Sequence, residues 1–196
     1  MRGSALLAAA LAVTALLAGC ATDPLAEDYR DGGTENYISG SGILEVPGNE
    51  RGDAVVFEGV TDEGDTFSSA EHLGEVLVVN FWYASCEPCR REAPDLEALS
   101  GEYDGEGASF VGVNVRDGAE TSLAFSRTYG IGYPSVLDAG DGDAQLAFAG
   151  DISPSAVPTT FVLDREGRIA ARILGQLEAR SILDTIIGDV LDEGPA

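Results

Sequence analysis

Val79-Asn80-Phe81-Trp82-Tyr83-Ala84-Ser85-Cys86-Glu87-Pro88-Cys89, followed by Glu92 and Pro94, is the stretch around which the rest of the chain arranges itself. Its first half closes an almost unbroken apolar run, Val76–Trp82, the pattern of a strand buried on both faces. A helix is expected directly after it, from about Cys86 to Tyr103, with Leu96, Leu99 and Tyr103 at helical spacing. The first cysteine then sits where unpaired N–H groups and the helix dipole stabilise a thiolate. The second lies one turn inward on the same face, close enough to close a disulfide or to attack a mixed one. Pro88 falls in the first turn, where its missing N–H costs little.

Working outward, Ser109–Val115 reads as a second buried strand and Ala119–Tyr129 as a second helix. Ser135–Leu137 has the makings of a short strand and Ala144–Phe148 of a short helix. Thr160–Leu163 and Ile169–Leu174 flank the turn residues Asp164-Arg165-Glu166-Gly167 as a hairpin. Residues 179–191 form a terminal amphipathic helix on Ile182, Leu183, Ile186, Ile187 and Val190. Ahead of the central motif, Ala54–Val60 and Thr66–Phe67 flank Asp62-Glu63-Gly64-Asp65 as a smaller hairpin. Strands alternating with helices, then an antiparallel hairpin, argue for an α/β fold with a mixed central sheet.

The 196 residues carry 11 basic and 34 acidic side chains, a formal net charge of −23. So acidic a surface repels phosphate backbones, which argues against nucleic-acid binding. The length suits one domain with a tail, and the 44% hydrophobic content argues against wholesale disorder. Three cysteines are too few for a disulfide scaffold. A structural zinc site needs four ligands, and the chain has no second CxxC and a single histidine, His72, read as an exposed loop or helix residue. A purely structural Cys86–Cys89 bridge would close too small a loop to stabilise much. The acidic turns Asp62–Asp65 and Asp138–Asp143 lack an EF-hand ligand pattern and are read as solvated loops. No metal and no separate cofactor is expected.

The N-terminus has the pattern of an export signal: Arg2, an apolar run over Ala5–Leu17 broken only by Thr14, then Leu17-Ala18-Gly19-Cys20. The run is short for a transmembrane helix. Its last four residues resemble the lipobox of bacterial lipoproteins, which implies cleavage before Cys20, lipidation of its thiol and an anchor on the extracytoplasmic face of the cell membrane. The organisation expected is a signal peptide over 1–19, an acidic, mobile, lipid-anchored tether over 20–52 and a folded domain over 53–196. A short strand over Ile43–Val46 is allowed within the tether.

The central motif with Glu92 and Pro94 resembles the thioredoxin superfamily, specifically the TlpA/ResA/CcmG branch of membrane-tethered thiol-disulfide oxidoreductases. The similarity runs from about Asp53 to the C-terminal helix. Val157-Pro158-Thr159-Thr160-Phe161 matches that family's cis-proline loop, which faces the CxxC and receives the substrate backbone. The fold implied is thioredoxin-like, a mixed sheet flanked by helices, with an N-terminal β-hairpin extension. Thioredoxins carry a buried acid six positions before the first cysteine, where this chain has Asn80; the acid appears instead as Glu92, as in the ResA-like branch, with a part in proton handling. The resemblance implies Cys86, Cys89 and Glu92 as catalytic residues, the cysteine pair itself as the redox centre, and Val157, Pro158, Trp82, Glu87 and Pro88 as the substrate-facing set. Acidic neighbours disfavour a thiolate, so Glu87 and Glu92 lean the pair toward a reductant, against Arg90 and Arg91, read as solvent-facing. The substrate implied is a disulfide-bearing protein, apocytochrome c during cytochrome c maturation, and the electron donor a membrane thiol relay of the CcdA type. Two alternatives stand beside this. A peroxiredoxin-like peroxidase shares the fold, but Ala84-Ser85-Cys86 does not supply its Pro/Thr-x-x-Cys setting. A Sco-like metal-handling module uses a wider cysteine spacing and a later histidine, and none follows His72.

Overall fold

The computed structural model of the chain describes residues 42–149 and 156–193. The expected signal segment, Cys20 and the tether as far as residue 41 lie outside the described residues. In chain order the elements are β1 Ile43–Glu45, β2 Glu58–Val60, β3 Thr66–Ser68, β4 Val76–Trp82, α1 Glu87–Tyr103, β5 Ala108–Asn114, α2 Ala119–Tyr129, β6 Ser135–Leu137, α3 Asp143–Ala147, β7 Thr159–Leu163, β8 Ile169–Leu174 and α4 Arg180–Asp192.

β4 is buried along its whole length because it lies inside a six-stranded sheet of order β1-β8-β7-β4-β5-β6. It runs parallel to β5 and antiparallel to β7, and β7 and β8 form the hairpin about Asp164–Gly167. Side chains alternate across the sheet. Val76 and Val78 join Leu96 and Leu99 of α1 and Leu183 and Ile187 of α4 in one core. Leu77, Val79 and Phe81 join Phe57, Phe148 and Phe161 in the other. By the same parity Asn80 belongs on the face that α1 covers, the placement on which the site depends. β2 and β3 pair with each other as a separate antiparallel ribbon. Gly59 lets that ribbon lie on β6, since a Cβ there would run into Val136 Cγ1.

Two expectations need correction. The folded sheet begins before Asp53: β1 pairs with β8 in the register Ile43↔Ile173 to Glu45↔Ala171. Its Ile43 finds apolar cover there that a free tether would not offer, packing on the first core. Arg51 then ties the segment down, with Nη1 3.0 Å from Asp164 Oδ2 and Nη2 2.6 Å from Glu193 Oε1. The acidic turns are also not simply solvated. Asp138 is buried and accepts from the backbone N–H groups of Ala144 and Gln145 at the start of α3, and buried Asp62 accepts from Ser122 Oγ at 2.6 Å. Asp138 satisfies N–H groups at the start of α3, and Asp62 pairs the buried hydroxyl of Ser122 on α2.

The Arg51 and Asp164 side chains are both almost wholly buried, and removing Arg51 leaves Asp164 with Arg168 as its remaining cationic partner among the described residues and Glu193 without its own. Arg51→Ala is expected to lower the unfolding free energy by about 3 kcal/mol, read as a lower midpoint in urea. A change below about 0.5 kcal/mol would mean that residues 43–51 do not anchor the fold.

Candidate active site

Cys86 ends the loop after β4 and caps α1. Its backbone is extended, and its Sγ accepts from the N–H of Cys89 at 3.2 Å. Pro88 stands in the first helical turn, as its φ and missing donor favour. Cys86 and Cys89 are joined as a disulfide, with their Cα atoms 5.3 Å apart. The sequence favours an exposed nucleophile at position 86, but Cys86 is only 3% exposed. It shares a cluster with Trp82, Cys89, Ala93 and Phe125, against which half-buried Tyr83, Ala84 and Val157 pack. Access to the sulfur therefore depends on how this covering shell yields to a partner.

Glu92 follows Cys89 by one turn, on the inner side of α1. A solvated helix charge would be the ordinary fate of such a residue, yet Glu92 is 1% exposed. Its Oε1 accepts from Asn80 Nδ2 and its Oε2 from the backbone N–H of Leu177, both at 2.9 Å. Asn80 Nδ2 also donates to Thr160 Oγ1 at 3.0 Å, and Asn80 and Thr160 stand opposite each other in the β4–β7 pairing. Burial pushes the Glu92 carboxyl up to about 7; the bonds from Leu177 and Asn80 pull the other way and do not offset it. Asn80 is therefore not a vacancy where thioredoxins keep an acid. It holds the acid that this chain places on the facing helix.

Trp82 is buried against Phe125, with ring centroids 4.2 Å apart. Its Nε1 donates to Ser135 Oγ at 3.1 Å. Gly112 of β5 leaves room for this bond: a Cβ there would lie 2.7 Å from Trp82 Nε1 and would also run into Ser135 Oγ. Trp82, Asn80 and Cys89 line one small cavity with room for about one water (about 10 Å³), together with Tyr133 and Ser135.

The loop before the cysteines is clamped from both sides. The N–H of Ala84 donates to Asp117 Oδ2 at 2.6 Å, and Arg90 Nε donates to the Ala84 carbonyl at 2.8 Å. The Arg116 guanidinium lies over the Tyr83 ring, 4.1 Å from its centroid. The Val157–Pro158 peptide is cis, and the Pro158 carbonyl accepts from the N–H of Gly175. Thus Cys86, Cys89, Trp82 and Val157 come together in one cluster, and Glu92 sits one turn behind them. Glu87 does not join it: it is exposed and pairs with Arg91 at 3.1 Å, a contact that contributes little in water. Asn80 as a ligand of Glu92, Leu177, Thr160, Asp117 and Arg116 were not singled out from sequence. Strand parity points Asn80 and Thr160 inward, but nothing local marks Leu177 or Asp117. Among the described residues no cluster of histidine, cysteine and acidic side chains is arranged to hold a metal ion.

The AhpC/TSA family model matches residues 51–172. The thiol-disulfide oxidoreductase ResA of Bacillus subtilis is 31% identical over 136 residues, covering 69% of this chain and 73% of that protein. Among solved structures, a DsbF homologue from Corynebacterium diphtheriae is 31% identical with a TM-score of 0.68, covering 79% of this chain and 96% of that one. A secreted thiol-disulfide isomerase from Corynebacterium glutamicum is 26% identical with a TM-score of 0.70, covering 79% and 95%. The CxxC at a helix start, the cis-proline before β7 and this set of relatives agree: the chain belongs to the AhpC/TSA family, and within it to the thioredoxin-fold thiol-disulfide oxidoreductases of the ResA type.

Proposed function

We propose that the protein works outside the cytoplasmic membrane, tethered by a lipid on Cys20, and reduces disulfides in partner proteins, apocytochrome c among them. The observation that carries this reading is the Cys86–Cys89 disulfide at the start of α1 with a buried carboxyl, Glu92, one turn behind it. Relatives named for thiol-disulfide exchange support the chemistry, and the secreted corynebacterial structure is consistent with the location. No helix among the described residues is long and apolar enough to cross a membrane. The lipobox-like Leu17-Ala18-Gly19-Cys20 is the support for the anchor.

In the reduced protein the Cys86 thiolate attacks one sulfur of the substrate disulfide. The other substrate sulfur leaves as a thiolate and takes a proton from solvent, and a mixed disulfide remains. Cys89 loses its proton and attacks Cys86 Sγ, which releases the second substrate sulfur as a thiolate that solvent protonates, and the Cys86–Cys89 bond re-forms. Glu92 accepts the Cys89 proton; a carboxyl held near pH 7 exchanges it at little cost in either direction. Two electrons leave the protein in each cycle, and a membrane thiol relay of the CcdA type returns them. The N–H of Cys89 aimed at Cys86 Sγ favours the reduced thiolate, while the burial of both sulfurs and the neighbouring carboxyl disfavour it. The balance of these favours electron donation.

Cys89→Ala removes the resolving sulfur and is expected to accumulate the mixed disulfide, from which the partner is released by reductant and identified by mass spectrometry. Apocytochrome c in the trapped fraction is the expected result. A broad set of unrelated secreted proteins would replace this substrate with general disulfide repair.

A further inference from the structure

The Glu92 carboxyl is held so that only one oxygen is free to titrate. Oε2 accepts from the peptide N–H of Leu177, and a peptide N–H can only donate. Oε1 faces the Asn80 side-chain amide, which has a donor end and an acceptor end. The same amide nitrogen reaches Thr160 Oγ1, a hydroxyl that both donates and accepts. Asn80, Glu92 and Thr160 are all buried, where an unpaired polar group is expensive.

With Glu92 ionised this arrangement is complete, since each carboxylate oxygen meets an N–H. With Glu92 protonated on Oε1, the new O–H meets the Asn80 amino group, donor against donor. We propose that Asn80 and Thr160 are positioning residues that let Glu92 gain and lose this proton without stranding a buried group. When Oε1 takes the proton, the Asn80 amide turns over and its Oδ1 accepts from the Glu92 O–H. The Thr160 hydroxyl changes from acceptor to donor toward that same Oδ1. The two ends of an amide are nearly isosteric, so the turn needs no repacking, and the small cavity that Asn80 lines has room for about one water to accept from the displaced amino group. This deepens the reading of Glu92 as the proton acceptor of the site and rests on it for its use in catalysis.

The other groups facing Glu92 do not compete for the proton in the oxidised protein. Tyr133, from the loop between α2 and β6, is held protonated because burial, and then the charges of Glu92 and Glu97, push its phenol upward. Cys89 on α1 is in the disulfide. β4 and β7 present Asn80 and Thr160, and the segment before α4 presents the Leu177 N–H.

The test is an NMR titration of the full-length oxidised protein with labelled glutamate carboxyls and asparagine side-chain amides. The Asn80 amide resonances are expected to move with the same midpoint as the Glu92 carboxyl. Asn80→Ala loses a charge-assisted bond to the carboxylate and only a neutral one to the protonated acid, and the difference raises the Glu92 midpoint by about one pH unit, a tenfold gain in proton affinity. Thr160→Val raises it by less, and Thr160→Ser restores it. Near-ultraviolet circular dichroism checks that each variant is folded; if Asn80→Ala is not, the amide titration of the wild type and the Thr160 pair still decide. Asn80 resonances that stay fixed through the Glu92 titration would overturn the proposal, as would folded variants titrating at the wild-type midpoint. Shifted midpoints with an unshifted pH profile of disulfide exchange would uphold the Asn80–Thr160 pair while removing Glu92 from the exchange chemistry.

Discussion

Cys86→Ser is expected to slow the reduction of a protein disulfide by on the order of 10³-fold or more, measured with insulin as substrate under single-turnover conditions. The substitution is unusually clean. Cys86 Sγ serves α1 as a cap by accepting the N–H of Cys89, and a serine hydroxyl at that position is among the best helix caps. The helix start therefore survives while the nucleophile does not, because a serine hydroxyl does not ionise near neutral pH as a thiol can. Losing the bridge adds little instability, since it closes only the short loop from Cys86 to Cys89. Cys89→Ser removes the same bridge but leaves the first attack intact, so it retains a single burst of mixed-disulfide formation. If Cys86→Ser kept its rate within about tenfold while Cys89→Ser lost it, the roles of the two sulfurs would be reversed.

The contrast between these sulfurs was legible in the sequence because it depends on local order: a buried strand, a short loop, a cysteine, then a helix. The apolar run Val76–Trp82 and the spacing of Leu96 and Leu99 place both cysteines where they are found, and the hairpin about Asp164–Gly167 follows from its turn residues. The pieces that sequence reasoning missed depend on contacts between distant segments. The sequence allows a short strand over Ile43–Val46 but not its place in the main sheet, which it takes only because β8 offers an edge. Arg51 looks like one more tether residue until Asp164, far along the chain, supplies its partner. Asn80 reads as the absence of an acid until α1 lays Glu92 across it. The burial of Cys86 has the same origin in part: Phe125 of α2 and Val157 of the cis-proline loop close on its cluster from far along the chain.

Glu92→Gln is expected to remove part of the pH dependence of stability. The wild-type carboxyl is raised from an ordinary 4.5 to about 7 by burial, so between those values the folded protein binds a proton that the unfolded chain has released. Stability from this group is then fully present below about 4.5, falls as the pH rises through the folded value, and is lost above about 7. The total is on the order of 3 kcal/mol. Glutamine has nearly the same shape and no charge to bury. The variant should therefore be more stable than wild type by about 1 to 3 kcal/mol on the alkaline side of the transition and no more stable on the acid side, with urea midpoints at both pH values as the measurement. Parallel stability curves for the two proteins across the neutral range would show that Glu92 does not titrate there. If the curves cross as expected, the native chain keeps at this position an acid that weakens its own fold at neutral pH. An acid that costs stability there, one turn from the Cys86–Cys89 bridge, is accounted for by the proton it exchanges rather than by packing.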